Sequence, residues 1–294
     1  MKIWEEDSKV IIQGVRDFHP DHIFDCGQCF RWNKEEDGSY TGIAHGRVIN
    51  VSYFEDSETL VLDQTTLSDY ETIWKHYFDL DRDYGEIKRQ LCLEDEIMTE
   101  AVACCYGLRI LNQEKWETLV SFIISQNNNI PRIKKCIEGI CEKFGEEAGT
   151  YRGRKYFSFP QPEVLAGLSE MDLEPCRLGY RAKYIVETAV KVSAGGTETL
   201  NRMGEASDEE AHSYLLGLSG VGPKVANCIS LFSMGKTKSF PVDVWIRRVM
   251  TQLYGIEESD TKAMYAYSSK HFGDYGGIAQ QYLFYYIRQK NNEA

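Results

Sequence analysis

The sequence predicts an α+β protein, with a small antiparallel β-rich N-terminal lobe followed by a large all-helical region. Three observations carry the prediction. Short runs rich in Val, Ile, Tyr and Phe, separated by turn residues, open the chain. From Leu67 onward, apolar residues recur instead at three- and four-residue spacing. Late in the chain, Gly220-Val221-Gly222-Pro223-Lys224 separates two such periodic stretches with a tight glycine turn.

The strand-like runs are Lys9–Val15, Cys29–Asn33, Tyr40–Ala44, Arg47–Tyr53 and Glu58–Leu62. Asp37-Gly38 and His45-Gly46 stand where hairpins would turn. Helical periodicity covers Leu67–Phe78, Tyr84–Glu94 and Glu96–Tyr106, then Trp116–Gln126, Arg132–Phe144 and Pro162–Leu168. It continues through Ala182–Ser193, Ser207–Leu216, Pro223–Ser233, Val242–Tyr254, Thr261–Phe272 and Ile278–Gln289. Two units are expected: a β-rich domain with accompanying helices over 1–110, and a helical domain over 111–294.

Composition narrows the class. The chain has 294 residues, 43% of them hydrophobic and 27% charged, as in ordinary globular proteins. Its longest apolar stretches fall well short of the roughly 18 residues that a membrane span needs. The start, Met-Lys-Ile-Trp-Glu-Glu-Asp, lacks a signal-peptide pattern, so a cytoplasmic or nuclear location is expected. Nine cysteines include one C-x-x-C, Cys26 and Cys29, with no second pair to complete a four-ligand site. No metal centre is expected, and most of these thiols read as small buried hydrophobes. A net charge of −12 argues against a generally basic surface. Yet Gly220–Met250 holds five basic residues (Lys224, Lys236, Lys238, Arg247, Arg248) against the single acid Asp243. A local basic patch of that kind can bind nucleic acid.

The glycine turn suggests how. Two glycines permit positive φ and let a phosphate approach the backbone at Gly220 and Gly222. Pro223 suits the first position of the following helix, whose free N–H groups form an anion site. Helix, hairpin, helix then grips a DNA backbone without reading its sequence. A plain helix–helix turn is the simpler alternative. Asp243, 19 residues after Lys224, lies in Phe240-Pro241-Val242-Asp243-Val244 and also suits a helix N-cap.

These segments resemble the helix-hairpin-helix superfamily of base-excision DNA glycosylases. The resemblance implies that Lys224 attacks the sugar at C1′ and forms a Schiff base, while Asp243 stabilises the developing positive charge. Four further stretches resemble its 8-oxoguanine DNA glycosylases. Gly27-Gln28-Cys29-Phe30-Arg31-Trp32 implies that the Gly27 carbonyl accepts the N7–H found on oxidised guanine alone. Asn127-Asn128-Asn129-Ile130-Pro131-Arg132 implies that Asn127 fills the gap left by the flipped base and Arg132 reads the orphaned cytosine. Gly179-Tyr180-Arg181-Ala182 implies a wedge at Tyr180 and a second cytosine contact at Arg181. In the last helix, Gln280 and Phe284 fall on one face, implying contact with the edge and face of the extruded base, with Cys228 against its other face. At Trp245 the family often has a phosphate-contacting histidine, so Arg247 or Lys238 is expected to serve there. No cofactor is implied beyond a monovalent cation that the hairpin carbonyls could hold.

The expected protein is thus a monomeric bifunctional glycosylase and lyase acting on double-stranded DNA that contains oxidised guanine. Two alternatives stay open: a superfamily member that removes another damaged or mismatched base, and a non-catalytic DNA-binding module.

Overall fold

A computed structural model describes residues 1–292, with side chains to residue 290. Six strands form one antiparallel sheet: β1 (Lys2–Glu6), β2 (Lys9–Gln13), β3 (Trp32–Lys34), β4 (Tyr40–Ala44), β5 (Arg47–Phe54) and β6 (Thr59–Asp63). Their order across the sheet is β1-β2-β6-β5-β4-β3. β1 escaped the sequence reading because it is an edge strand with little burial. Its turn is made by Asp7 and Ser8, which adopt φ of 50° and 60° without a glycine. The predicted strand over Cys29–Asn33 shrinks to β3, because the residues before Trp32 form an irregular turn instead.

Fourteen helices make the rest among the described residues, with short 3-10 turns between some of them. They are α1 (Pro20–Phe24), α2 (residues 67–77, with a π-helical middle turn), α3 (Tyr84–Cys92), α4 (Glu96–Cys104), α5 (Lys115–Ser125), α6 (Ile130–Phe144) and α7 (Pro162–Ala166). Then come α8 (Arg181–Gly195), α9 (Thr197–Arg202), α10 (Asp208–Leu216), α11 (Pro223–Ser233), α12 (Val244–Gln252), α13 (Thr261–His271) and α14 (Gly276–Asn292). The region expected to be wholly helical also contains a β-hairpin, β7 (Glu147–Tyr151) and β8 (Arg154–Phe157). Tyr151 and Tyr156 of this hairpin bury against Ile43 and Val48 of the large sheet. None of the helices is long and apolar enough to cross a membrane, among the described residues.

Two apolar cores result. One lies against the sheet and is rich in aromatics, including Phe24, Trp32, Tyr40, Trp74 and Phe78. The other fills the helical body and also takes in Tyr84, Ile87 and Leu91 of α3 and Met98 and Ala101 of α4. All nine cysteines are unbridged, and Cys26 and Cys29 are both buried. Burial pushes the Cys26 thiol up to about 12, which keeps it protonated and inert.

The turn between α1 and β3 is buried where the two cores meet. Its polar backbone must be satisfied there without a ladder. Gln28, fully buried, does this with one side chain. Its amide donates to Ile23 O at 2.9 Å and Arg109 O at 2.8 Å, and its Oε1 accepts from Leu111 N at 2.9 Å. Gln113 Nε2 completes the arrangement by donating to Gln28 O at 2.8 Å. Gln28→Leu would keep the volume and strand those buried groups, so it is expected to destabilise the fold by about 2–4 kcal/mol. Urea denaturation measures this, and a loss below about 1 kcal/mol would contradict the assignment.

Candidate active site

The glycine turn joins α10 to α11. Gly220 has φ +74°, and a β-carbon there would lie 2.7 Å from the Tyr184 side chain of α8. Both conformation and close packing therefore require glycine. Gly222 differs from expectation, with φ −96° and ψ 179° as the N-cap of α11. It needs no positive φ, because the turn reverses at Gly220 alone; nothing lies within 4 Å of its β-position. The carbonyls of Ser219, Gly220 and Gly222 already accept from the Thr188 hydroxyl, Gln126 Nε2 and Ala226 N, leaving one lone pair each.

Lys224 stands in the first turn of α11, partly buried, with Nζ 5.3 Å from the centroid of the Phe122 ring on α5. Cys228 follows one turn later and is buried. Asp243 caps α12, its Oδ1 accepting from Ile246 N at 2.8 Å. The N-cap alternative is therefore realised, together with proximity to Lys224. Burial raises the Asp243 carboxyl above its ordinary range, while the Ile246 N–H and the Lys224 charge oppose that rise. Burial also pushes the Cys228 thiol up to about 11, against the same lysine. The three side chains share one electrostatic site.

The Gly27 turn comes close by. Phe30 packs edge-on against Phe122 with ring centroids 5.6 Å apart, so the turn and Lys224 both contact one phenyl ring. Gly27 has φ +81°, and a β-carbon there would meet Phe284 Cε1 of α14 at 3.3 Å. Gln280, one turn before Phe284, is 2% exposed and accepts from Gln281 Nε2 at 2.8 Å. Phe122 carries no signature in the sequence, and Gln28 stands inside one without a role assigned to it, since the importance of both lies in partners far along the chain.

The segments expected to face the opposite strand surround the end of α5. Asn127 is exposed with φ +46°, and Asn129 caps α6 by accepting from Arg132 N at 3.0 Å. Arg132 is exposed, its Nη2 3.4 Å from Arg177 O. Tyr180 is 54% exposed, and its ring meets that of Tyr184 edge-on at 5.9 Å. Arg181, the expected second cytosine contact, is 3% exposed in the protein without DNA. Its Nε donates to Gln126 O at 2.9 Å, its Nη2 to Gln126 O and to Asn127 O at 2.9 Å, and its Nη1 to Leu178 O at 3.2 Å. The loop after α5 leaves the Gln126 and Asn127 carbonyls without helical partners, and the guanidinium supplies them.

The basic patch is also thinner than its composition suggests. Lys236 is buried, donating to Ala206 O at 2.6 Å and paired with Asp208 at 3.2 Å. Lys238 pairs with Asp274 at 2.9 Å. Trp245 is half-buried beneath Arg248, whose guanidinium carbon lies 5.0 Å from its ring. Arg247 donates to Glu258 O at 2.8 Å. Among the described residues no group of three or more His, Cys, Asp or Glu side chains is arranged to hold a metal.

Residues 10–119 match the family described as 8-oxoguanine DNA glycosylase, N-terminal domain. Residues 120–272 match the HhH-GPD superfamily base excision DNA repair protein. A probable N-glycosylase/DNA lyase of Methanothermobacter thermautotrophicus is 33% identical over 235 residues, which is 73% of this chain and 74% of that one. Among solved structures, the 8-oxoguanine glycosylase/lyase of Clostridium acetobutylicum, in complex with dsDNA containing cytosine opposite 8-oxoG, superposes with TM-score 0.93 at 42% identity over 99% of both chains. MBOgg1 in complex with a low-affinity DNA ligand superposes with TM-score 0.94 at 46% identity, again over 99% of each.

The dual position of Asp243 has a consequence for stability. Its pKa is raised on folding, so its ionisation is harder in the folded than in the unfolded chain. Its contribution to stability therefore falls as pH rises from about 4, the ordinary carboxylate value, through the raised one. Asp243→Asn keeps the cap and removes the charge. Its unfolding temperature is expected to equal or exceed that of the wild type at pH 7, with the gap closing towards pH 4. A variant less stable than the wild type at pH 7 would contradict this.

Proposed function

Since the chain belongs to the HhH-GPD superfamily of base-excision DNA repair proteins, with an 8-oxoguanine DNA glycosylase N-terminal domain, we propose that it excises 8-oxoguanine from duplex DNA and nicks the resulting abasic site. The observation that carries this reading is that Lys224, grouped with Cys228 and Asp243, contacts Phe122, and that Phe122 also contacts Phe30 of the turn that packs Gly27 on Phe284. A DNA-gripping module needs the hairpin alone. It has no use for a buried carboxylate beside a lysine and an aromatic slot.

The reaction follows from the parts. The hairpin and the first N–H groups of α11 hold the backbone, with Gly220 and Gly222 allowing close approach. Tyr180 inserts at the base step, and Asn127 occupies the space that the extruded nucleotide leaves. The flipped base enters the slot, with Phe284 on one face, Cys228 on the other and the Gln280 amide at its Watson–Crick edge. The Gly27 carbonyl accepts N7–H, and undamaged guanine would oppose it with a lone pair. The neutral Lys224 amine attacks C1′ as the bond to N9 breaks, and the electron pair leaves with the base. Asp243, ionised, stabilises the positive charge that develops at the sugar. Collapse of the adduct opens the ring to an imine between Nζ and C1′. Loss of a C2′ proton then expels the 3′ phosphate by β-elimination.

Arg132, at the exposed start of α6, donates to the acceptors of the orphaned cytosine. Arg181 holds the loop that presents Asn127 and Tyr180 in the free protein, and turns to the cytosine once DNA replaces the loop carbonyls as its partner. Arg247 and Arg248 meet phosphate where Trp245 cannot. The chain acts as a monomer, because one copy supplies nucleophile, carboxylate and base slot. It works wherever the chromosome lies, in the cytoplasm or the nucleus. The chemistry uses only side chains of the chain itself, and a monovalent cation at the hairpin would serve the phosphate grip alone.

Borohydride should trap the protein covalently on duplex DNA containing 8-oxoguanine, and Lys224→Gln should abolish the adduct; wild-type protein that forms none would refute the lyase reading. Excision should also run faster opposite cytosine than opposite adenine. Arg132→Ala should cut that preference roughly tenfold, as expected for a lost charged hydrogen bond. Equal single-turnover rates opposite all four bases in the wild type would overturn the assignment of Arg132.

A further inference from the structure

α14 carries one more side chain along its slot face. Gln280, Phe284 and Arg288 follow one another at intervals of four and so line one side of the helix. Arg288 is half-buried, with its guanidinium carbon 5.3 Å from the centroid of the Phe284 ring. Its Nη1 lies 3.3 Å from Asp25 O, and would lie 4.0 Å from a β-carbon placed on Gly27. The Asp25 carboxylate is turned elsewhere, accepting from the Tyr40 hydroxyl at 2.5 Å. Among the described residues no ion pair involves Arg288. A guanidinium with one long hydrogen bond to the turn therefore stands against both the Phe284 ring and the Gly27 turn.

We propose that Arg288 determines specificity for the oxidised base by donating a hydrogen bond to the oxygen on C8, beside the N7–H that the Gly27 carbonyl accepts. The proposal rests on the substrate reading above. Oxidation at C8 makes two adjacent changes to guanine. N7 turns from an acceptor into a donor, and C8–H is replaced by a carbonyl acceptor. A backbone carbonyl next to a guanidinium is complementary to that pair. Undamaged guanine instead offers a lone pair to the carbonyl and a C–H to the guanidinium, so both groups lose their partners. The charge serves the reaction as well. When the bond to C1′ breaks, its electron pair spreads over the five-membered ring onto the C8 oxygen, where the guanidinium favours it.

The test compares two reactions of each variant on matched duplexes. One is single-turnover excision of 8-oxoguanine opposite cytosine. The other is cleavage of a preformed abasic site, which uses the hairpin and Lys224 but has no base to recognise. In Arg288→Gln the ratio of the first rate to the second is expected to fall roughly tenfold or more, the scale of a charged hydrogen bond. Arg288→Lys, which keeps the charge and one donor, is expected to recover part of that ratio. If both rates fall together, Arg288 only supports the fold of the slot and the proposal is wrong; an unchanged ratio overturns it equally. A wild type that cleaves the abasic duplex but leaves 8-oxoguanine in place would refute the substrate reading, and this inference with it.

Discussion

The whole arrangement depends on satisfying a buried irregular turn. Residues 25–31 lie between an aromatic core under the sheet and the apolar core of the helical body. A strand there would satisfy its backbone by pairing, but would not present Gly27 to α14. Gln28 resolves the conflict with donors and an acceptor shared among Ile23, Arg109 and Leu111. Arg109 in turn donates to the carbonyls of Arg16, Asp17 and Asp79, tying the same strip to the outer edge of the N-terminal lobe. The turn is thereby fixed against Phe284 rather than left as a surface loop.

Electrostatics at the site work by burial more than by net charge. The chain carries −12 overall, and two of the lysines in its most basic stretch are already matched by Asp208 and Asp274. What remains distinctive is a carboxylate and a thiol removed from water beside one amine. The Asp243 cap anchors that carboxylate to the start of α12, so a device that stabilises a helix also holds a charge in place.

Much of this was legible in the sequence, for identifiable reasons. The helices of the body announce themselves by periodicity, and the hairpin by residue types that few other turns demand. What escaped depends on distance along the chain. β1 turns on Asp7 and Ser8 instead of a glycine, and β7 and β8 are short and gain their burial from Ile43 and Val48 of another sheet. The inward set of Arg181 answers to carbonyls more than fifty residues earlier, and Lys236 and Lys238 to acids that no local window pairs with them. Local pattern singled out the candidate residues; tertiary partners decided which way they face.

One contact made at Gly220 has a mechanical meaning. The ring of Tyr184 fills the space where that glycine lacks a side chain, and the ring of Tyr180 rests on it edge-on. Both tyrosines belong to the start of the same helix, so the exposed ring and the hairpin are parts of one stiff strut. A load taken up by the Tyr180 ring would pass through Tyr184 directly to the hairpin. If Tyr180 is the wedge and the hairpin the grip, bending the DNA and holding it would be a single motion, and enlarging Gly220 by one methyl group would loosen the joint on which it turns.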